Sequence, residues 1–136
     1  MGSNRMGPTR ERVVRLLQEN RDLYVGTHVR PDGDALGTML GLALALEGPG
    51  RRVARLCASP VPERYLFLPG AEDVSPDPPD WRAHVGIVVD CDGLSRVGHL
   101  EPVFAGLPHL VDIDHHATDR AFGDERLVDP SAAATG

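Results

Sequence analysis

Three short apolar runs each end directly on a cluster of acids and imidazoles, and this arrangement limits most what the chain can fold into. Leu23 to His28 leads into Val29-Arg30-Pro31-Asp32-Gly33-Asp34, Val85 to Val89 ends on Asp90-Cys91-Asp92, and Leu110 to Ile113 ends on Asp114-His115-His116. Runs of this length, bounded by turn residues, read as buried strands. Arg52 to Cys57 reads as another strand. Helical patterns lie between them. Pro8 to Asn20, opened by Pro8 or Thr9, carries Val13, Val14, Leu16 and Leu17 on one face. A second helix runs from Asp34, for which capping that helix is the plain alternative to a ligand role, to about Glu47, and Glu101 to Ala105 forms a short third one. Strands alternating with helices predict an α/β domain with a mainly parallel sheet flanked by helices. In such sheets ligands bind beyond the carboxyl ends of the strands, where all three polar clusters fall.

The second helix carries Gly33, Gly37, Gly41 and Ala45 at every fourth position, so they share one face. A glycine inside a helix is about 1 kcal/mol less favourable than alanine. The expectation is that close packing against the sheet, or close approach of a ligand, offsets that loss.

A chain of 136 residues is at most one domain, and a 41% hydrophobic content suits a globular one. Its net charge of −6 argues against holding long nucleic acid on a broad basic surface. A short anion can still be held through bound cations. The two cysteines, Cys57 and Cys91, have neither CxxC spacing nor a place in a ligand cluster, which argues against a thiolate zinc site. No signal peptide or membrane-length apolar run is visible, so the reading is cytoplasmic with no membrane partner.

Mixed carboxylates and imidazoles suit two divalent metal ions, manganese first, with magnesium or cobalt as substitutes. Two ions about 3.5–4 Å apart can share a hydroxide and clamp a phosphoryl group. Asp90, alone at its strand end between the other clusters, is the candidate to bridge them. Arg96, six residues further on, is near enough to the expected cleft to touch a phosphate. The remaining polar signals have plain readings: Trp81 as loop packing, Cys91 as a buried thiol, and His84, His99 and His109 as ordinary histidines.

His28-Val-Arg-Pro-Asp-Gly-Asp-Ala-Leu-Gly37, Val89-Asp-Cys-Asp92 and Asp114-His-His116 resemble the first three motifs of the DHH phosphoesterase superfamily. Phe122-Gly123 and Asp129-Pro-Ser-Ala-Ala-Ala-Thr-Gly136 resemble the segment that follows in its bacterial oligoribonuclease (nanoRNase) and 3′-phosphoadenosine 5′-phosphate phosphatase branch. The resemblance covers residues 8–136 and implies a DHH-type amino-terminal domain. By it, one metal is held by His28, Asp32 and Asp90 and the other by Asp34, Asp90 and His115. Asp114 orients His115, and His116 contacts the scissile phosphate or protonates the leaving oxygen. The implied activity is hydrolysis of short oligoribonucleotides, dinucleotides and nucleotide 3′-phosphates by attack of a metal-bridging hydroxide, with Asp90 and His116 in the catalytic set and Arg96 and His116 on the substrate. A homodimer is compatible with it. An inorganic pyrophosphatase, a cyclic-dinucleotide phosphodiesterase and a non-catalytic metal- or nucleotide-binding module are the alternatives.

Two departures shape the expectations. Asp119 stands where the family usually has Asn. The fourth-motif Asp and the glycine-rich substrate-binding domain do not occur in the 136 residues. Residues 8–136 are therefore expected to be a truncated catalytic domain, weak or inactive by itself, with residues 1–7 a leader outside the fold.

Overall fold

The computed structural model describes residues 2–115 and 122–128, with side chains from Gly7 onward. It contains one six-stranded sheet in the order β3-β2-β1-β4-β5-β6, with every pairing parallel among the described residues. The strands are β1 (Asp22–Thr27), β2 (Arg52–Leu56), β3 (Val74–Ser75), β4 (Val85–Val89), β5 (His109–Asp114) and β6 (Glu125–Val128). The helices are α1 (Gly2–Glu19), α2 (Gly33–Leu46) and α3 (Glu101–Ala105). The α/β reading thus holds. A likewise parallel register joins β1 to β2 on one side and to β4 on the other, so the strand order turns outward in both directions from the β1–β4 seam. That seam is a topological switch point, where a parallel sheet opens a crevice at its carboxyl edge.

Both faces of the sheet are covered, which is why β4 reads Val-Gly-Ile-Val-Val with no polar side chain and β1 is buried from Leu23 onward. Leu23, Val25, Val85, Ile87, Val89 and Val111 pack toward α1 and α2, against Val13, Leu36, Met39 and Leu40. Tyr24, Leu56, Val88 and Leu110 face the other way, against Val97, Leu100, Phe104 and Leu107. Two strand glycines make room for this second layer. A Cβ at Gly26 would lie 2.5 Å from the Phe104 ring, and one at Gly86 would lie 2.7 Å from Leu107. The Phe104 ring therefore sits directly on the backbones of β1 and β4. No helix among the described residues is long and apolar enough to cross a membrane.

Several expectations about the elements need correction. α1 starts at Gly2, inside the stretch taken for a leader, and Pro8 lies within the helix rather than opening it. Proline removes one backbone hydrogen bond, and here the helix continues through that loss. α2 starts at Gly33, and its N-cap is Asp32, not Asp34: the Asp32 carboxylate accepts from the Ala35 N–H at 2.8 Å. The buried face of α2 is Ala35, Leu36, Met39, Leu40 and Ala43. Gly37 and Gly41 are exposed with nothing within 4 Å of a built Cβ, so the glycine face does not pack on the sheet.

Candidate metal centre

The crevice at the β1–β4 seam gathers side chains from three strand ends and one helix start. Thr27, the last residue of β1, donates its hydroxyl to the Val89 carbonyl at 2.8 Å, fastening the carboxyl ends of the two central strands together. His28 follows directly. Its Nδ1 lies 2.7 Å from the Val29 carbonyl, which assigns the proton to Nδ1 and leaves Nε2 as a bare donor atom. That Nε2 lies 3.5 Å from Asp90 Oδ2, and the Asp90 carboxylate, followed by the bond to Val29, raises the His28 pKa against the opposing effect of burial.

Asp90 is the centre of the arrangement. It is 3% exposed, and its backbone takes φ +56°, a left-handed conformation that Asp and Asn tolerate better than most residues. Its N–H donates to the Ile113 carbonyl at 2.9 Å, so the turn off β4 is tied to β5. The turn aims the two carboxylate oxygens apart. Oδ2 faces His28, and Oδ1 lies 3.3 Å from His115 Nε2. His115 Nε2 is also 3.7 Å from Asp34 Oδ2. Donor atoms of His28, Asp32 and Asp90 lie within 4.8 Å of one another, and so do those of Asp34, Asp90 and His115. The two groups share Asp90 alone.

Each supporting residue has a definable task. Asp32 accepts the α2 capping bond through Oδ1 and also places a carboxylate oxygen within 4.8 Å of donor atoms of His28 and Asp90. Asp34, one residue into the helix, also accepts from the Thr38 hydroxyl at 3.2 Å. Gly33 between them carries Tyr65 close by, since a Cβ there would meet the Tyr65 hydroxyl at 3.4 Å. Asp114, 5% exposed, accepts from the His115 backbone N–H at 2.7 Å and so fixes the backbone of His115. Arg96 belongs to neither donor group. Its carbonyl accepts from the Val29 N–H at 2.8 Å and its guanidinium is 4.0 Å from Asp92, which puts it on the rim of the β1–α2 loop. His116 and Asp119 lie outside the described residues.

The donor set contains oxygen and imidazole nitrogen and no sulfur. Cys91 is buried with its thiol donating to the Gly93 carbonyl at 3.1 Å, and burial pushes its pKa up to about 12. Cys57 is likewise buried with its pKa raised by burial. Neither cysteine belongs to either donor group, so the residues present fit hard or borderline divalent cations. Trp81 packs on Tyr24, with Arg52 over its ring at 4.5 Å, as loop packing requires.

One feature escaped the sequence reading, and another, Asp112, stands in its third acidic cluster without an assigned role. Arg30 has φ +52° and donates its N–H to the Ser59 hydroxyl, linking the His28–Asp34 loop to the segment after β2. Asp112 is 1% exposed and shares its face of β5 with Asp114; alternation along the strand was the available signal.

No family model matches the chain. The chain is 41% identical over 119 residues to a protein of Thermus thermophilus named bifunctional oligoribonuclease and PAP phosphatase NrnA, a match covering 83% of this chain and 33% of that one. It is 26% identical over 129 residues to a Bacillus subtilis protein of the same name, covering 90% of this chain and 38% of that one. The chain thus spans about a third of the length of the curated relatives it matches. A crystal structure of an exopolyphosphatase-related protein from Bacteroides fragilis superposes with a TM-score of 0.84 at 22% identity, covering 94% of this chain and 40% of that one, and shares the fold. With these relatives, and with its three motifs at the ends of β1, β4 and β5, the chain belongs to the DHH phosphoesterase superfamily.

Proposed function

We propose that this chain is the metal-binding part of a phosphoesterase that hydrolyses short oligoribonucleotides, dinucleotides and nucleotide 3′-phosphates, in a cytoplasmic setting. The observation that carries the reading is Asp90: a buried carboxylate with one oxygen turned to each of two imidazoles, shared by two donor groups. His28, Asp32 and Asp90 would hold one divalent ion, and Asp34, Asp90 and His115 the other, with manganese the best fit to the donors. Bound there, the two ions would supply Lewis acidity toward a phosphoryl oxygen and lower the pKa of the water that attacks it.

The chain's own residues do the positioning. His28 keeps its Nε2 lone pair turned to the crevice through its Nδ1–H bond to Val29. The left-handed turn at Asp90 directs the shared carboxylate between the groups, and Asp114 fixes the backbone of His115. His116, by the resemblance alone, is assigned to the scissile phosphate or the leaving oxygen, and Arg96 to a substrate phosphate at the rim. The names of the sequence relatives support the substrate class.

The test has two arms. Manganese titration of this chain, followed by electron paramagnetic resonance, is expected to give two sites in the native sequence and none of comparable affinity in Asp90→Asn, with a loss of about 10-fold or more. The substitution keeps the side-chain shape and the tolerance of φ +56°. In the longer protein that contains this segment, a dinucleotide and 3′-phosphoadenosine 5′-phosphate are expected to be hydrolysed faster than pyrophosphate. Unchanged manganese binding in Asp90→Asn, or a preference for pyrophosphate, overturns the reading.

A further inference from the structure

A cavity of about 490 Å³ opens beside the metal centre, between the carboxyl end of β2 and the two 3-10 turns at Glu63–Tyr65 and Ala71–Asp73. Its size falls within the range of small-molecule pockets, about 300–1,000 Å³. β2 is the neighbour of β1, so this cavity lies one strand away from His28. Two contacts join them. The Cys57 thiol, on the cavity wall, donates to the His28 carbonyl at 3.5 Å, and the Ser59 hydroxyl accepts from the Arg30 N–H at 2.9 Å. The segment that brings Leu66 to the cavity is joined as well, because the preceding residue, Tyr65, packs on Gly33 between Asp32 and Asp34.

The lining is chemically one-sided. Val61, Leu66 and Ala71 make it apolar, and Leu66 is kept 52% exposed at its edge. Glu72 is the only charged side chain among the described lining residues. An anionic wall repels a phosphate and suits a neutral group with N–H donors. Ser59 accepts from Arg30 and keeps its own hydroxyl hydrogen to donate. A flat heterocycle with an exocyclic amine meets all three conditions: apolar faces, an N–H for Glu72 and a ring nitrogen for Ser59.

We infer that this cavity is a nucleobase subsite, receiving an amino-bearing base while the phosphate attached to it lies over the donor groups. The inference rests on the phosphoesterase reading for the place of the phosphate, and on the cavity alone for the base. It makes the segment between β2 and β3 the part of the domain that distinguishes a nucleotide from a bare phosphate.

The test is methyl NMR on this chain with named probes. Adenosine, without metal, is expected to shift the Val61, Leu66 and Ala71 methyl resonances. With magnesium present, AMP is expected to bind at least about tenfold more tightly than ribose 5-phosphate, a difference of about 1.4 kcal/mol. Val61→Phe, which fills the cavity, brings the two ligands to within about twofold, and the milder Leu66→Ala at an exposed position narrows the gap if the first variant does not fold. Equal binding of AMP and ribose 5-phosphate by the native chain, or pocket methyls unmoved by adenosine, overturns the inference and leaves the metal reading standing. Adenosine shifts with no magnesium-dependent binding of ribose 5-phosphate support the subsite and count against the metal reading instead.

Discussion

Asp90 and Asp112 are buried acids on or just beyond neighbouring strands, and they are stabilised differently. Asp90 has an imidazole opposite each oxygen. Asp112 has Arg126 across the strand pair at 3.4 Å from Oδ2, while its Oδ1 has no hydrogen-bond partner among the described residues. Burial, with Asp114 adding to it and Arg126 opposing, raises the Asp112 pKa to about 7. The unfolded chain gives up this proton in the ordinary carboxylate range, so between there and pH 7 the folded state holds the extra proton. Stability must then fall as pH rises through that window, by at most about 1.4 kcal/mol per unit. Asp112→Asn is expected to remove that slope, so that urea midpoints of variant and native chain diverge in the variant's favour from about pH 4 to about pH 7. A difference between the two that does not change with pH would show that Asp112 titrates normally. At this scale the sequence was informative about which residues meet and silent about how. His28, Asp32, Asp34, Asp90 and His115 are adjacent because strand ends converge, a property of topology that spacing reveals. The left-handed turn at Asp90 and the capping bond of Asp32 are not visible in spacing, because a cap, a turn and a ligand all use the same residue types.

The elements were legible where burial is two-sided. β1, β4 and β5 lie within a residue or two of their expected bounds, since a strand covered on both faces reads as a mostly apolar run, interrupted in β5 by Asp112. β3, of two residues, and β6, of four, are edge strands with no such run, and they exist through pairing to β2 and β5. α2 shows the limit of periodicity. Its four-residue glycine spacing identified a face correctly, yet the helix turns that face outward. Spacing alone cannot distinguish a small face that is packed from one that is bare. The consequence is a stability prediction. Where no neighbour needs the space, glycine in a helix only adds conformational freedom to the unfolded chain. Gly41→Ala is therefore expected to stabilise this chain by about 0.5–1 kcal/mol, read as a higher urea midpoint at unchanged slope. Gly37→Ala should behave alike. A loss of stability in both would mean that the exposed face of α2 is covered in solution.

For the molecule as a whole, the crevice at the switch point is also where the fold is fastened. The donor groups come from the ends of β1, β4 and β5, which are paired in one sheet, and from the start of α2, which packs on that sheet. Cations bound across them would act on the folded state alone, because the unfolded chain does not bring His28, Asp90 and His115 together. Such binding stabilises by about 2.7 kcal/mol per site when the free ion is at 100 times its dissociation constant. The two groups share Asp90 but differ in every other member, which makes the contributions separable. Manganese is expected to raise the unfolding midpoint of the native chain by the largest amount. Asp34→Asn, confined to one group, should retain part of that gain, and Asp90→Asn should retain almost none. Chelation should return the native chain to its metal-free midpoint. Near-zero gains in both Asp34→Asn and Asp90→Asn would mean that the two substitutions remove the same ion and that no second one remains. The crevice would then hold a single ion, and the shared carboxylate would be a structural link between two imidazoles rather than the hinge of a two-ion centre.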